Sequence, residues 1–80
     1  MTIRVDNLND MTCPADIMTF FAGYEIKHVS KIMFVRNFDS PIAHGYVFLD
    51  IEDDAAAHRA IEQLNNSKIL GNVAGVTIAG

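Results

Sequence analysis

HGYVFLDI, His44 to Ile51, alternates along its whole length, and the fold turns on how it is read. A two-residue period is that of a β-strand, in which His44, Tyr46, Phe48 and Asp50 point one way and Gly45, Val47, Leu49 and Ile51 the other. The second set is aliphatic and belongs in a core. The first set puts two aromatic rings on the opposite face, where water is expected.

Upstream, TIRVD, Thr2 to Asp6, alternates in the same way, with Ile3 and Val5 on one face and Arg4 and Asp6 on the other. After a polar turn, Pro14 suits a first helical position and Asp16 the positive first turn. Ile17, Phe20, Phe21 and Tyr24 come next at i, i+3, i+4 and i+7, so an amphipathic helix ending near Gly23 is expected. HVSKIMFV, His28 to Val35, is β-branched and apolar enough for a strand with both faces apolar. The turn RNFDSP then leads into HGYVFLDI. Downstream, Asp53 and Asp54 precede a second helix whose buried stripe is Ala57, Ala60, Ile61 and Leu64, ended by Asn65 and Asn66. GVTIA, Gly75 to Ala79, is a closing strand.

The order β-α-β-β-α-β specifies a ferredoxin-like α+β sandwich, a four-stranded antiparallel sheet with two helices on one face. Ile3, Val5, Val47, Leu49, Val76 and Ile78 are expected to face the helices. Tyr46 and Phe48 are then left on the uncovered side.

Composition sets bounds on partners. Eighty residues make one domain, residues 1–80, with half the residues hydrophobic and a fifth charged, which is globular composition. Six Lys and Arg against ten Asp and Glu leave a formal net charge of -4, so any nucleic-acid site has to be local. The lone Cys13 excludes an internal disulfide and agrees with a reducing compartment. With neither a membrane-spanning apolar run nor a signal-peptide pattern, an intracellular protein without membrane contact is expected.

HGYVFLDI resembles the signature octet of the RNA recognition motif family, which runs basic residue, Gly, aromatic, small, aromatic, aliphatic, any residue, aromatic. IRVDNL, Ile3 to Leu8, is similar to the family's second signature, an aliphatic, aromatic, aliphatic, any, Asn, Leu hexad. The AxxAIxxL pattern from Ala57 to Leu64 and the run from Gly71 to Val76 also fit, so the resemblance covers essentially the whole chain. The departures are Arg4 in place of the hexad's stacking aromatic, His44 in place of a permanent cation, Val47 for a small residue and Ile51 for an aromatic. The changes at Val47 and Ile51 affect packing; those at Arg4 and His44 affect binding.

The resemblance implies binding of single-stranded RNA, or chemically similar single-stranded DNA, with no catalysis and no cofactor. Exposed aromatics of the family stack on unpaired bases, each stack contributing ~1–3 kcal/mol. By that resemblance Tyr46 and Phe48 stack bases, and Arg4 and Arg36 contact phosphate or base. His44 contributes charge only when protonated, and Asn7 reaches a base edge. Backbone around Thr77 and Ala79 reads bases. In the family, the second strand buries positions spaced i, i+3, i+5, which Val29, Ile32 and Phe34 obey; Lys31, Met33 and Val35 then join the open face. A register shift of one residue would exchange Phe34 for Met33. With few cations near the platform, affinity and its salt dependence should both be modest.

The same apolar face suits a second reading, a protein partner or a homodimer seated on Met33, Val35, Tyr46 and Phe48. An Arg-x-Phe loop like that of relatives capturing Trp-containing peptides is absent between Leu64 and Gly75. The FFAGY stretch, Phe20 to Tyr24, is similar to the helix end of quasi-RRM domains, in which loops grip RNA. Two other families with this topology fit less well. MTCPAD, Met11 to Asp16, resembles the MxCxxC loop of heavy-metal-associated domains, but Asp16 occupies the second thiolate's position, and Cu(I) needs paired sulfur ligands. No metal is expected, and a structural place for Cys13 near the helix cap is favoured. Acylphosphatases cradle phosphate in the loop after strand one with backbone amides and an Arg; here NLNDMTC has neither Gly nor Arg. His28, His44 and His58 form no catalytic arrangement that the sequence can support, and the acidic run DIEDD reads as a solvated strand end and helix cap.

Overall fold

The computed structural model describes residues 1–35 and 44–79; the expected turn RNFDSP, including Arg36, lies outside the described residues. The elements are β1 (Thr2–Leu8), α1 (Pro14–Phe20), β2 (Ile26–Val29), β3 (Met33–Val35), β4 (His44–Ile51), α2 (Asp54–Leu64), β5 (Lys68–Ile69), β6 (Asn72–Val73) and β7 (Gly75–Ile78). The main sheet is antiparallel in the order β2-β4-β1-β7, with β3 also paired to β4. The expected α+β order is therefore present, and β4 and β1 lie at the centre of the sheet. Two features depart from it: the second strand is divided into β2 and β3, and a small hairpin, β5–β6, stands before the last strand.

Alternation produces the core. Ile3, Val5, Val47, Leu49, Ile51 and Val76 are buried on one face of the sheet, and Ile17, Phe21, Ala57 and Ala60 from the helices pack into the same cluster. The alanines of α2 let the helix approach the sheet closely, while Ile61 and Leu64 complete its stripe only half-buried. Ile78, expected against the helices, is 50% exposed because β7 is an edge strand paired on one side only.

A bulge in β1 rescues Leu8. Val5 pairs with Val47 but Leu8 pairs with Gly45, three residues forward on β1 against two back on β4. The extra residue reverses the facing of the positions after it, so Leu8 is fully buried where strict alternation would put it on the open side. Asn7 sits at the irregularity with φ 61, a left-handed conformation that Asn tolerates better than most residues.

The division of the second strand has the same effect. Val29 pairs with Leu49 and Met33 with Tyr46, four residues on one side against three on the other. That extra residue produces the i, i+3, i+5 spacing: Ile32 is buried, and Met33 and Val35 turn to the open face opposite Tyr46 and His44. Phe34 shares the helix side, as expected, but is 43% exposed. It covers Gly45, where a Cβ would stand 2.7 Å from its ring, and its outer side remains wet because β3 is paired only to β4 among the described residues. Ser30 bridges the gap: its backbone N–H donates to the Phe48 carbonyl at 2.8 Å and its Oγ accepts from the Phe48 N–H at 3.0 Å. Ser30→Ala leaves that N–H without its partner and should lower stability by about 1–2 kcal/mol in chemical denaturation; an unchanged midpoint would remove Ser30 from this role.

The helices begin as their sequences direct. Cys13 is the N-cap of α1, with Pro14 at the first position. The Asp16 carboxylate accepts from the Cys13 backbone N–H at 2.9 Å and from its Sγ at 3.1 Å. These two contacts, the backbone one larger, hold the Asp16 carboxyl below the usual carboxylate range. Asp53 caps α2, accepting from the Ala55 N–H at 3.1 Å. At its other end the Asn65 Oδ1 accepts from the Val76 N–H at 2.9 Å, joining helix to sheet. α1 stops at Phe20, earlier than its periodicity suggests, and a turn through Gly23 carries Tyr24 to the edge of the core.

In the β5–β6 hairpin the two turn residues, Leu70 and Gly71, have φ 48 and 86. Two successive positive φ values are those of a type I′ turn, which favours Asn-Gly. Leu70 is a poor occupant, and it is 50% exposed, so its side chain gives little back in packing. Leu70→Asn is expected to stabilise the domain by about 0.5–1 kcal/mol, read as a raised thermal midpoint; a lowered midpoint would show that Leu70 packing outweighs its backbone strain.

Candidate nucleic-acid interface

The open face of the sheet is built in rows. Thr2, Arg4 and Asp6 project from β1, Tyr46 and Phe48 from β4, and Thr77 from β7, on the side opposite the buried Ile3, Val5, Val47, Leu49 and Val76. Arg4 lies between Phe48 on one neighbouring strand and Thr77 on the other. Tyr46 and Phe48 are half-buried and meet edge to face, with centroids 5.8 Å apart and planes at 78°. The Arg4 guanidinium carbon stands 4.9 Å from the Tyr46 ring centroid, within cation–π range. Met33 and Val35, 47% and 50% exposed, extend the apolar surface past Tyr46 and His44.

The sequence-derived residues divide into four groups. Arg4, Met33, His44, Tyr46, Phe48 and Thr77 share the face, with His44 exposed at the start of β4. Asn7 is exposed at the strand end, but its side chain is engaged: Nδ2 donates to the Val73 carbonyl at 2.8 Å, while Asn72 donates to the Asn7 carbonyl at 3.2 Å. The pair pins β6 to β1. Ala79 uses its N–H on the Thr2 carbonyl at 3.0 Å, and Lys31 is exposed in the segment joining β2 to β3. Arg36 lies outside the described residues.

One neighbour that the alternation put on this face was not among the expected site residues. Asp6, two residues after Arg4 and hence on the same face, brings Oδ2 to 3.7 Å from the Arg4 Nε. It belongs to the alternation of TIRVD, and the signal available in sequence was a carboxylate at i+2 from the face's Arg. At the far end of the face, Thr2 donates to the Asp50 carboxylate at 2.6 Å, and His28 pairs with Asp50 across β2 and β4.

On the helix side a groove of about 810 Å³ lies between the turn after α1 and the start of α2, lined by Tyr24, Ile51, Ala56 and Arg59 among others. The Tyr24 hydroxyl donates to Gln63 across it. No His, Cys, Asp and Glu cluster able to hold a metal occurs among the described residues, and no helix there is long and apolar enough to cross a membrane.

Comparison with known proteins gives a family match over residues 3–74, to the RNA recognition motif. No curated protein sequence matches. Among solved structures, the Pes4 RRM3 domain is 25% identical, with 99% of this chain and 90% of that one covered and a TM-score of 0.79. The RNA Binding Protein PG1 is 28% identical over 99% of this chain and 93% of that one, with a TM-score of 0.72. The Rna15 RRM, solved with bound RNA (GU), is 15% identical over 99% of this chain and 82% of that one; its TM-score of 0.76 is a likeness of fold.

Proposed function

The chain belongs to the RNA recognition motif family, whose members are typically RNA-binding domains without catalysis, and on that basis we propose that it binds short single-stranded RNA on the open face of its sheet. The observation that carries the reading is the Arg4, Tyr46, Phe48 cluster: a guanidinium over the Tyr46 ring and that ring edge to face with Phe48, on central strands opposite the helices. An unpaired base offers a flat apolar face to such a surface whatever its identity, so the contact is tolerant of sequence. That a relative of the same fold, the Rna15 RRM, was solved with RNA supports the reading.

The binding is weak. Arg4, the cation over the Tyr46 ring, already has a carboxylate at 3.7 Å, and the whole chain carries a net charge of -4, so phosphate neutralisation and counterion release contribute little. No chemistry is performed on the strand. Asn7 acts through its second amide hydrogen or its side-chain carbonyl, since one amide hydrogen is given to Val73 and its backbone carbonyl accepts from Asn72, and Ala79 acts through its carbonyl, since its N–H is given to Thr2. Arg36 stays in the proposal from sequence alone.

The exposed Met33 and Val35 favour one further reading, a protein partner or a second copy on the same face. Amide shifts in NMR separate the two: shifts at His44 to Phe48 on adding a pool of short RNAs support RNA binding, and shifts there that depend on protein concentration alone support self-association.

A further inference from the structure

We propose that Asp6 is a positioning residue that holds Arg4 against Tyr46 and shields its charge, so that a bound strand places a base, not a phosphate, over Arg4. This rests on the RNA-binding reading above and names what that face accepts at one point.

Three contacts carry it. The guanidinium lies over Tyr46, with Cζ 4.9 Å from the centroid. Its Nε is 3.7 Å from the Asp6 Oδ2, an ion pair too long to be a hydrogen bond, with both side chains partly exposed at 45% and 41%. Asp6 in turn lies beside Gly75, its cross-strand partner on β7. A Cβ at position 75 would collide with the Asp6 Oδ1, so the carboxylate occupies space that only a glycine leaves free.

This geometry has an electrostatic consequence. A phosphate approaching the guanidinium meets the Asp6 charge on the same face, and like charges at such range repel. A neutral base meets no such penalty. It can lie on the outer side of the guanidinium, whose inner side meets Tyr46 at cation–π distance. Arg4 then adds stacking surface at the position where the family's hexad carries an aromatic ring, without releasing a counterion.

Asp6→Asn keeps the side chain's shape and removes its charge. Binding to a pool of short single-stranded RNAs, measured against salt, should become about two- to fivefold tighter at low salt. The slope of log K against log salt should steepen by about 0.7, the contribution of one added phosphate contact on a single strand. Adding Arg4→Ala to that variant should abolish both gains. Gly75→Ala, which displaces the carboxylate tip by contact, should move affinity and slope in the same direction.

A readout without RNA tests the tether itself. The Arg4 side-chain protons should show a ring-current shift from Tyr46 that shrinks in Asp6→Asn. If the parent protein binds RNA and Asp6→Asn leaves affinity and slope unchanged, the role of Asp6 is overturned and the RNA reading stands. If the folded parent binds no RNA, the RNA reading is overturned and the role of Asp6 in base selection falls with it. In that event a ring-current shift that shrinks in Asp6→Asn would still establish the tether, and an unchanged shift would overturn that as well.

Discussion

Tyr46→Ala is expected to weaken binding of short single-stranded RNA by about 1–3 kcal/mol while leaving the fold intact. The ring is on the open face and only half-buried, so its removal opens no cavity in the core. It does remove three things from the platform at once: its own face, the partner of Phe48 at 5.8 Å, and the surface that Arg4 lies on at 4.9 Å. Phe48→Ala should fall in the same range, and the pair should be non-additive, because each ring positions the other. Fluorescence anisotropy on a labelled RNA pool, with circular dichroism to check folding, measures the effect. Unchanged affinity in a folded Tyr46→Ala variant would contradict the stacking role.

The largest effect on stability is expected at Phe21. Its side chain is 1% exposed and is the largest of the fully buried ones among the described residues. It is flanked by Phe20 and Tyr24, both edge to face, at centroid distances of 5.3 and 6.5 Å. Phe21→Ala removes a ring from a core this small and leaves a cavity that the sheet side, fixed by ladder hydrogen bonds, cannot close. A loss of about 3–5 kcal/mol is expected, a large share of the stability available to a domain of this size. Urea denaturation reads it as a lowered midpoint. A loss below about 1 kcal/mol would mean that the turn after α1 collapses to fill the space.

These two positions also show what the sequence made legible. Phe21 falls in a helical stripe and Tyr46 in a strand alternation, and in both cases periodicity alone gave the facing, because burial on one side imposes a regular pattern. Where the structure interrupts the period, local sequence was less informative. Leu8 and Ile32 reach the core only through an extra residue, after Val5 and after Ser30, and strict alternation misplaces each. The spacing of Val29, Ile32 and Phe34 did contain the second irregularity, but its continuous reading hid the break at Ser30, where a side-chain oxygen takes over a ladder bond. The β5–β6 hairpin escaped because each strand has two residues, too few to show a period, and its turn carries Leu70 where Asn would have signalled it.

The site was legible in type more than in state. Alternation placed Arg4, Tyr46 and Phe48 on one face, but not that Arg4 would lie on Tyr46 with Asp6 beside it. Nor could it show that the Asn7 amide is committed to Val73. Such contacts depend on diagonal neighbours across strands and on the empty place at Gly75, which emerge only once register is known.

Whether the open face of the sheet receives unpaired bases is best decided by a two-dimensional NMR titration of the protein with a pool of short single-stranded RNAs. Saturating shifts are expected at Arg4, Met33, Tyr46, Phe48 and Thr77, with Ala57, Ala60 and the rest of the helical side unmoved. Shifts confined to the groove of Tyr24 and Arg59, or none at any position, would refute base binding on the sheet.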